Sequence, residues 1–114
     1  MKTYTAASGY VYQYYFVGKR DALADAPEAP ATEYVFDVSP DRKATYAVSV
    51  FLKPEALDAW RSSKARALTD TEQYAAAKMR LLRGFDEAEV IRSHVSMVVD
   101  AENVGELLAE IGVE

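Results

Sequence analysis

The clearest pattern in the chain is EYVFDVSPDRKATYAVSVFL, Glu33 to Leu52, where two runs of β-branched, aromatic and aliphatic residues flank a polar segment. Such runs suit a pleated, half-buried surface and predict a β-hairpin with arms over 34–38 and 46–52. Ser39, Pro40, Asp41, Arg42 and Lys43 form the reversal. Proline presets φ at the second turn position, and Ser39 and Asp41 can hydrogen-bond nearby backbone.

Upstream, YVYQYYFV over 10–17 reads as a further strand. Its alternation puts Tyr10, Tyr12, Tyr14 and Phe16 on one face and Val11, Gln13, Tyr15 and Val17 on the other. Both faces are largely apolar, so helices are expected over one and a second subunit over the other. Tyr10, Tyr12, Tyr14 and Phe16 are the candidate interface. Residues 1–9 read as a lead-in. Residues 18–32, with Gly18, Pro27, Pro30 and a string of alanines and acids, read as a long mobile loop. Asp21, Asp25 and Glu28 do not have the spacing of an EF-hand loop, and no metal is expected there.

Downstream the period changes from two to nearly four. Pro54 opens a helix to about Leu68, with Leu57, Trp60, Ala67 and Leu68 in a core-facing stripe and the Lys64 stem at its margin. Thr69 and Glu72 stand in capping-box spacing, which starts a second helix running to Arg83 and closed by a left-handed Gly84. So short a joint predicts a helical hairpin or a sharp bend. Asp86, Glu87 and Glu89 make a polar link, and VIRSHVSMVV over 90–99 reads as the last strand. Asp100 caps a short final helix whose Val104, Leu107, Leu108 and Ile111 face the sheet, with Gly112 where it stops. The order β-β-β-α-α-β-α predicts one α+β domain, a mainly antiparallel sheet of about four strands with three helices on one face.

Composition narrows the function classes. A chain of 114 residues buries roughly two-thirds of its unfolded surface without any staple. The absence of cysteine excludes disulfides, thiolate nucleophiles and cysteine metal sites, and fits a reducing compartment. No run approaches the roughly 20 apolar residues of a membrane helix, and the start lacks the apolar core of a signal peptide, so a soluble cytoplasmic protein is expected. Net charge is -5, unevenly spread: residues 1–60 balance to -2, residues 61–83 to +4 and residues 84–114 to -7. The basic middle makes Arg61, Lys64, Arg66, Lys78, Arg80 and Arg83 candidate anion contacts, as for nucleic acid on a helical pair, although Asp70 and Glu72 at the second helix start weaken a helix-turn-helix reading.

Candidate chemistry is sparse. His94 is the only histidine, with no second histidine or cysteine to complete a zinc set, and no serine lies in a G-x-S-x-G or S-x-x-K pattern. Trp60, Arg92 and His94, with Tyr12 and Tyr14, are the residues a small-molecule pocket between sheet and helices would use. No catalytic residue, metal or cofactor is assigned. The leading expectation is a small interaction or regulatory domain that pairs with itself, followed by a small-molecule binder and then by nucleic-acid binding through 61–83.

Overall fold

The computed structural model describes residues 1–87 and 91–114. Five strands and three helices follow one another as β1 (Lys2–Thr5), β2 (Val11–Asp21), β3 (Thr32–Ser39), β4 (Tyr46–Leu52), α1 (Pro54–Lys64), α2 (Asp70–Glu87), β5 (Val95–Val99) and α3 (Val104–Ala109). The fold is α+β with a five-stranded mixed sheet in the order β1-β2-β3-β4-β5. The first four strands form an antiparallel meander and β5 joins β4 in parallel, reached through α1 and α2. Among the described residues no helix is long and apolar enough to cross a membrane.

Several sequence expectations are corrected. The lead-in contains β1, whose KTYT has no hydrophobic run to announce it and which pairs through backbone with 11–14 of β2. Residues 18–21 continue β2, so the loop shrinks to 22–31, closed by the Ala22 N–H donating to the Ala31 carbonyl at 2.9 Å and tethered by Lys53, whose ammonium donates to the Glu28 carbonyl at 3.1 Å. The last strand starts at Val95, leaving Arg92 and His94 in the segment before it; the expected start at Val90, and Glu89 in the link, lie outside the described residues.

Helices α1 and α2 keep their starts and change their ends, whereas α3 begins at Val104 after Asn103, and the expected cap Asp100 instead accepts from the Glu102 and Asn103 N–H groups in the turn before it. The expected reciprocal cap is present: the Glu72 N–H donates to Thr69 Oγ1 at 3.2 Å, and the Thr69 N–H donates to Glu72 Oε1 at 3.0 Å. Helix α1 stops at Lys64 because Ala65 turns left-handed at φ 57°, its N–H donating to the Arg61 carbonyl. Gly84 does not close α2; the helix continues to Glu87 and Gly84 lies buried within it. An added Cβ there would overlap Sδ and Cε of Met97, so the missing side chain lets α2 approach β5 closely. Phe85, expected beyond the helix, is thereby carried on it and into the core.

The Thr69–Glu72 cap leads to a measurable pH dependence. The Arg66 guanidinium, bonded to the carboxylate at 2.9 and 3.0 Å, and next the Thr69 N–H, hold Glu72 down at about 2 from an ordinary 4.5. A depressed carboxyl contributes stability that is complete above its unfolded value and is lost as pH falls through the folded one. The melting temperature is therefore expected to fall between about pH 4.5 and pH 2 more steeply in the wild type than in Glu72→Gln. The two curves should meet near pH 2.

The core lies between the sheet and the helices. Tyr12, Tyr14, Tyr34, Phe36, Val38, Val48, Val50 and Leu52 from the sheet meet Trp60, Ala77, Leu81, Phe85, Leu107 and Leu108 from the helices. One irregularity governs the sheet's two faces. Phe16 pairs with Phe36 and Gly18 with Val35, so Val17 is an extra residue in a β-bulge. Beyond it Lys19 pairs with Tyr34, on the helix side, and Arg20 with Glu33, on the open side, the reverse of strict alternation from Tyr10 onward.

Candidate functional site

On the helix-free face β2 presents Val11, Gln13, Tyr15 and Val17, while the central strands β3 and β4 mix Glu33, Asp37 and Ser49 with Val35, Ala47 and Phe51. Val11, Tyr15 and Val17 are 43%, 44% and 54% exposed, and Val35, Ala47 and Val98, on the same face by register, are partly exposed. Tyr15 is held upright by its hydroxyl, which donates to Asp37 Oδ2 at 2.7 Å; that bond pushes its pKa up. A shallow cavity of about 370 Å³ opens around the bulge, lined by Val17, Gly18, Lys19, Arg20 and Val35.

Beside this apolar strip sits a buried carboxylate. Glu33 is 7% exposed and accepts from Ser49 Oγ at 2.6 Å and from Arg20 Nε at 2.9 Å. Burial pushes its pKa up, but the bonds from Ser49 and Arg20 outweigh it and hold the carboxyl below its usual range, with His94 contributing a smaller electrostatic pull. Geometrically this is a satisfied ion pair on a sheet, with Ser49 donating to a carboxylate instead of being deprotonated by a base.

On the helix side a second cavity, about 300 Å³, is lined by Phe16, Lys19, Tyr34, Asp70, Thr71 and Tyr74. The Phe16 and Tyr74 rings meet edge to face at 5.0 Å, and Tyr34 lies 6.2 Å from Phe16 and 6.4 Å from Tyr74. Lys19 Nζ rests 5.9 Å from the Tyr34 ring centroid. A third cavity, about 390 Å³, lies where the 22–31 loop meets Leu52, Pro54 and Leu57.

The residues singled out from sequence are placed differently. The candidate interface faces the helices: Tyr12 and Tyr14 are 1% and 4% exposed, Tyr12 stacks on Phe85 at 4.3 Å, Tyr10 packs against Tyr12 and Phe16 against Tyr74. Alternation separated the two sets of side chains, but the set turned away from the helices is Val11, Tyr15 and Val17, because Phe85 and Tyr74 of α2 claim the tyrosine face. The candidate pocket is not assembled around Trp60, which is buried under α1 with Lys64 and Arg66 cations 5.5 and 5.4 Å from its ring, while Arg92 and His94 are exposed before β5.

Of the candidate anion contacts, Arg66 bonds Glu72, Arg80 lies 3.8 Å from Glu87 and donates to the Val98 carbonyl, and Arg83 reaches Glu106 and Glu110 at 3.7 and 3.2 Å. Arg61 and Lys64 lie exposed on α1. Lys78 is partly buried on α2, and burial, with Lys2 beside it, lowers its pKa. Arg80 and Arg83 of the basic middle are thus engaged by carboxylates of the acidic end, and Arg66 by Glu72 of the middle itself. No group of three or more His, Cys, Asp or Glu side chains suited to a metal occurs among the described residues.

Sequence reasoning missed Val17, Glu33, Ser49, Lys19, Tyr34 and Tyr74 as site residues. Gly18 after an apolar run was the available sign of a bulge. The meeting of Tyr34 with Tyr74 had no local sign, since 40 positions separate them. No family model, no curated protein and no solved structure matches this chain.

Proposed function

We propose that this protein is a small association domain that pairs with a second copy of itself through the helix-free face of its sheet, with no catalytic role. The observation that carries this reading is the exposure of Val11, Tyr15 and Val17 of β2, each more than two-fifths exposed, with Gln13 between the first two, Val35 beside the last, and no helix among the described residues above them. Solvated sheet faces ordinarily carry polar residues, and contiguous exposed apolar side chains mark surfaces that meet a partner. A face of five strands about 4.8 Å apart is roughly 20 Å across, enough for a contact at the lower end of stable dimer interfaces. Twofold pairing suits a strip that is apolar along its middle and carries both an exposed cation, Arg20, and a carboxylate, Asp37, on the same face. The absence of cysteine fits work in a reducing compartment, the cytoplasm, as part of the same proposal.

Sedimentation equilibrium across dilution tests the reading. The wild type is expected to be a dimer at micromolar concentration, and Val17→Asp, which sets a charge in the middle of the strip, to weaken association at least about 100-fold. Val17 is exposed, so its replacement leaves the fold intact, which circular dichroism verifies. A wild type still monomeric near millimolar concentration, or a Val17→Asp variant that dimerises as the wild type does, overturns the proposal.

A further inference from the structure

The aromatic cleft on the helix side has a feature that packing alone does not explain. Tyr34 is 1% exposed, and its hydroxyl has no hydrogen-bond partner among the described residues. A buried hydroxyl without a partner loses its hydration and gains nothing in return, and phenylalanine at this position would avoid that cost. Burial raises the Tyr34 pKa, and the Asp70 carboxylate at the first turn of α2 raises it further. Tyr34 and Asp70 both line the 300 Å³ cavity, whose remaining walls are Phe16, Tyr74, Thr71 and the Lys19 side chain. Lys19 is exposed and lines the same cavity with its Nζ 5.9 Å from the Tyr34 ring centroid, so a ligand bonding the hydroxyl, which is shielded from solvent, would have to displace it.

These pieces define a ligand's chemistry. Three aromatic rings offer edges and faces to a planar ring. Tyr34 O–H is a free donor, and the Asp70 carboxylate is an acceptor at the rim. Lys19 and Asp70 balance in charge, so the site favours a neutral molecule. A phenolic hydroxyl fulfils both polar roles at once, accepting from Tyr34 and donating to Asp70. From the geometry we infer that the cleft formed by Phe16, Lys19, Tyr34, Asp70 and Tyr74 binds a small neutral aromatic of the phenol class. The cleft lies on the opposite side of the sheet from the association surface, so neither reading depends on the other.

Fluorine NMR with 4-fluorophenol and with fluorobenzene, each titrated with the full-length protein, tests the assignment, and amide shifts locate the contact. Expected are saturable binding of 4-fluorophenol with amide shifts at Phe16, Lys19, Asp70 and Thr71, and fluorobenzene at least tenfold weaker. In Tyr34→Phe the two probes should bind alike, while the melting temperature is equal to or above that of the wild type because the removed hydroxyl had no partner. Asp70→Asn should reduce the same preference and serves as the second variant if Tyr34→Phe does not fold. Equal binding of the two probes to the wild type, no saturable binding, shifts elsewhere, or a preference that survives in Tyr34→Phe or, where that variant does not fold, in Asp70→Asn overturns the inference.

Discussion

Replacing Phe85 by alanine is expected to destabilise the protein by about 3 to 5 kcal/mol, read as a lower midpoint in chemical denaturation. Phe85 is 1% exposed and stacks on Tyr12 with ring planes 7° apart, while Tyr4 and Tyr14 lie 5.8 and 5.9 Å from it. One side chain of α2 therefore holds three rings from two strands, and its loss removes the packing that they share. The same end of α2 bears Asp86, which accepts from the Tyr4 hydroxyl and from the Ala7 N–H, both at 2.8 Å. Those bonds tie edge strand β1 to the helix, so hydrogen exchange at Ala6, whose N–H donates to the Tyr10 carbonyl at 2.8 Å, and at Tyr4, the next bonded pair of the same ladder, should quicken in Phe85→Ala more than exchange in β3. Unchanged β1 protection would mean that strand pairing with β2 alone holds β1, contrary to this account.

Trp60→Ala carries the second large expectation, again a loss of about 3 to 5 kcal/mol. Trp60 is 2% exposed, and its Nε1–H has no hydrogen-bond partner among the described residues. Its contribution is accordingly packing, together with the cations of Lys64 and Arg66 above its ring. It follows that Trp60→Phe, which keeps an aromatic ring and deletes only the unpartnered N–H and part of the bulk, should cost less than half as much as the alanine change. Similar losses for the two variants would show that the indole N–H has a partner in solution, such as an ordered water.

How much of this could be read in the sequence depends on how local each cause is. The reversal at 39–43 was legible not in Ser39, whose buried hydroxyl has no partner among the described residues, but in Asp41, whose Oδ1 accepts from the nearby Lys43 and Ala44 N–H groups at 2.9 and 3.0 Å. The Thr69–Glu72 cap was legible for the same reason. Strand β1 was not, since Lys2–Thr5 is stabilised by pairing with β2 and by Asp86 from the far end of the chain. Tyr10–Val17 showed its two sets of side chains but not which one the helices would take, because both are apolar and the choice is made by Phe85 and Tyr74. Gly84 was misread as a stop because a glycine near a helix end looks the same whether it turns the backbone or yields space to Met97. The Tyr34 cleft was illegible for a further reason: a tyrosine whose hydroxyl lacks a partner has the same letter as one that is fully bonded.

The bulge in β2 has a consequence for changes of chain length. Phe16 and Gly18 oppose consecutive residues of β3, Phe36 and Val35, so Val17 could be removed while every other pairing of β2 stays in place. Removing a residue elsewhere in the strand would slide one half of it against its neighbours and exchange its inner and outer side chains. A related chain one residue shorter at this point would keep the ring-lined cleft whole and lose only the most exposed apolar side chain of β2 on the open face. Length variation at a single site thus gives descent a way to tune the proposed self-association while leaving the opposite side of the sheet untouched.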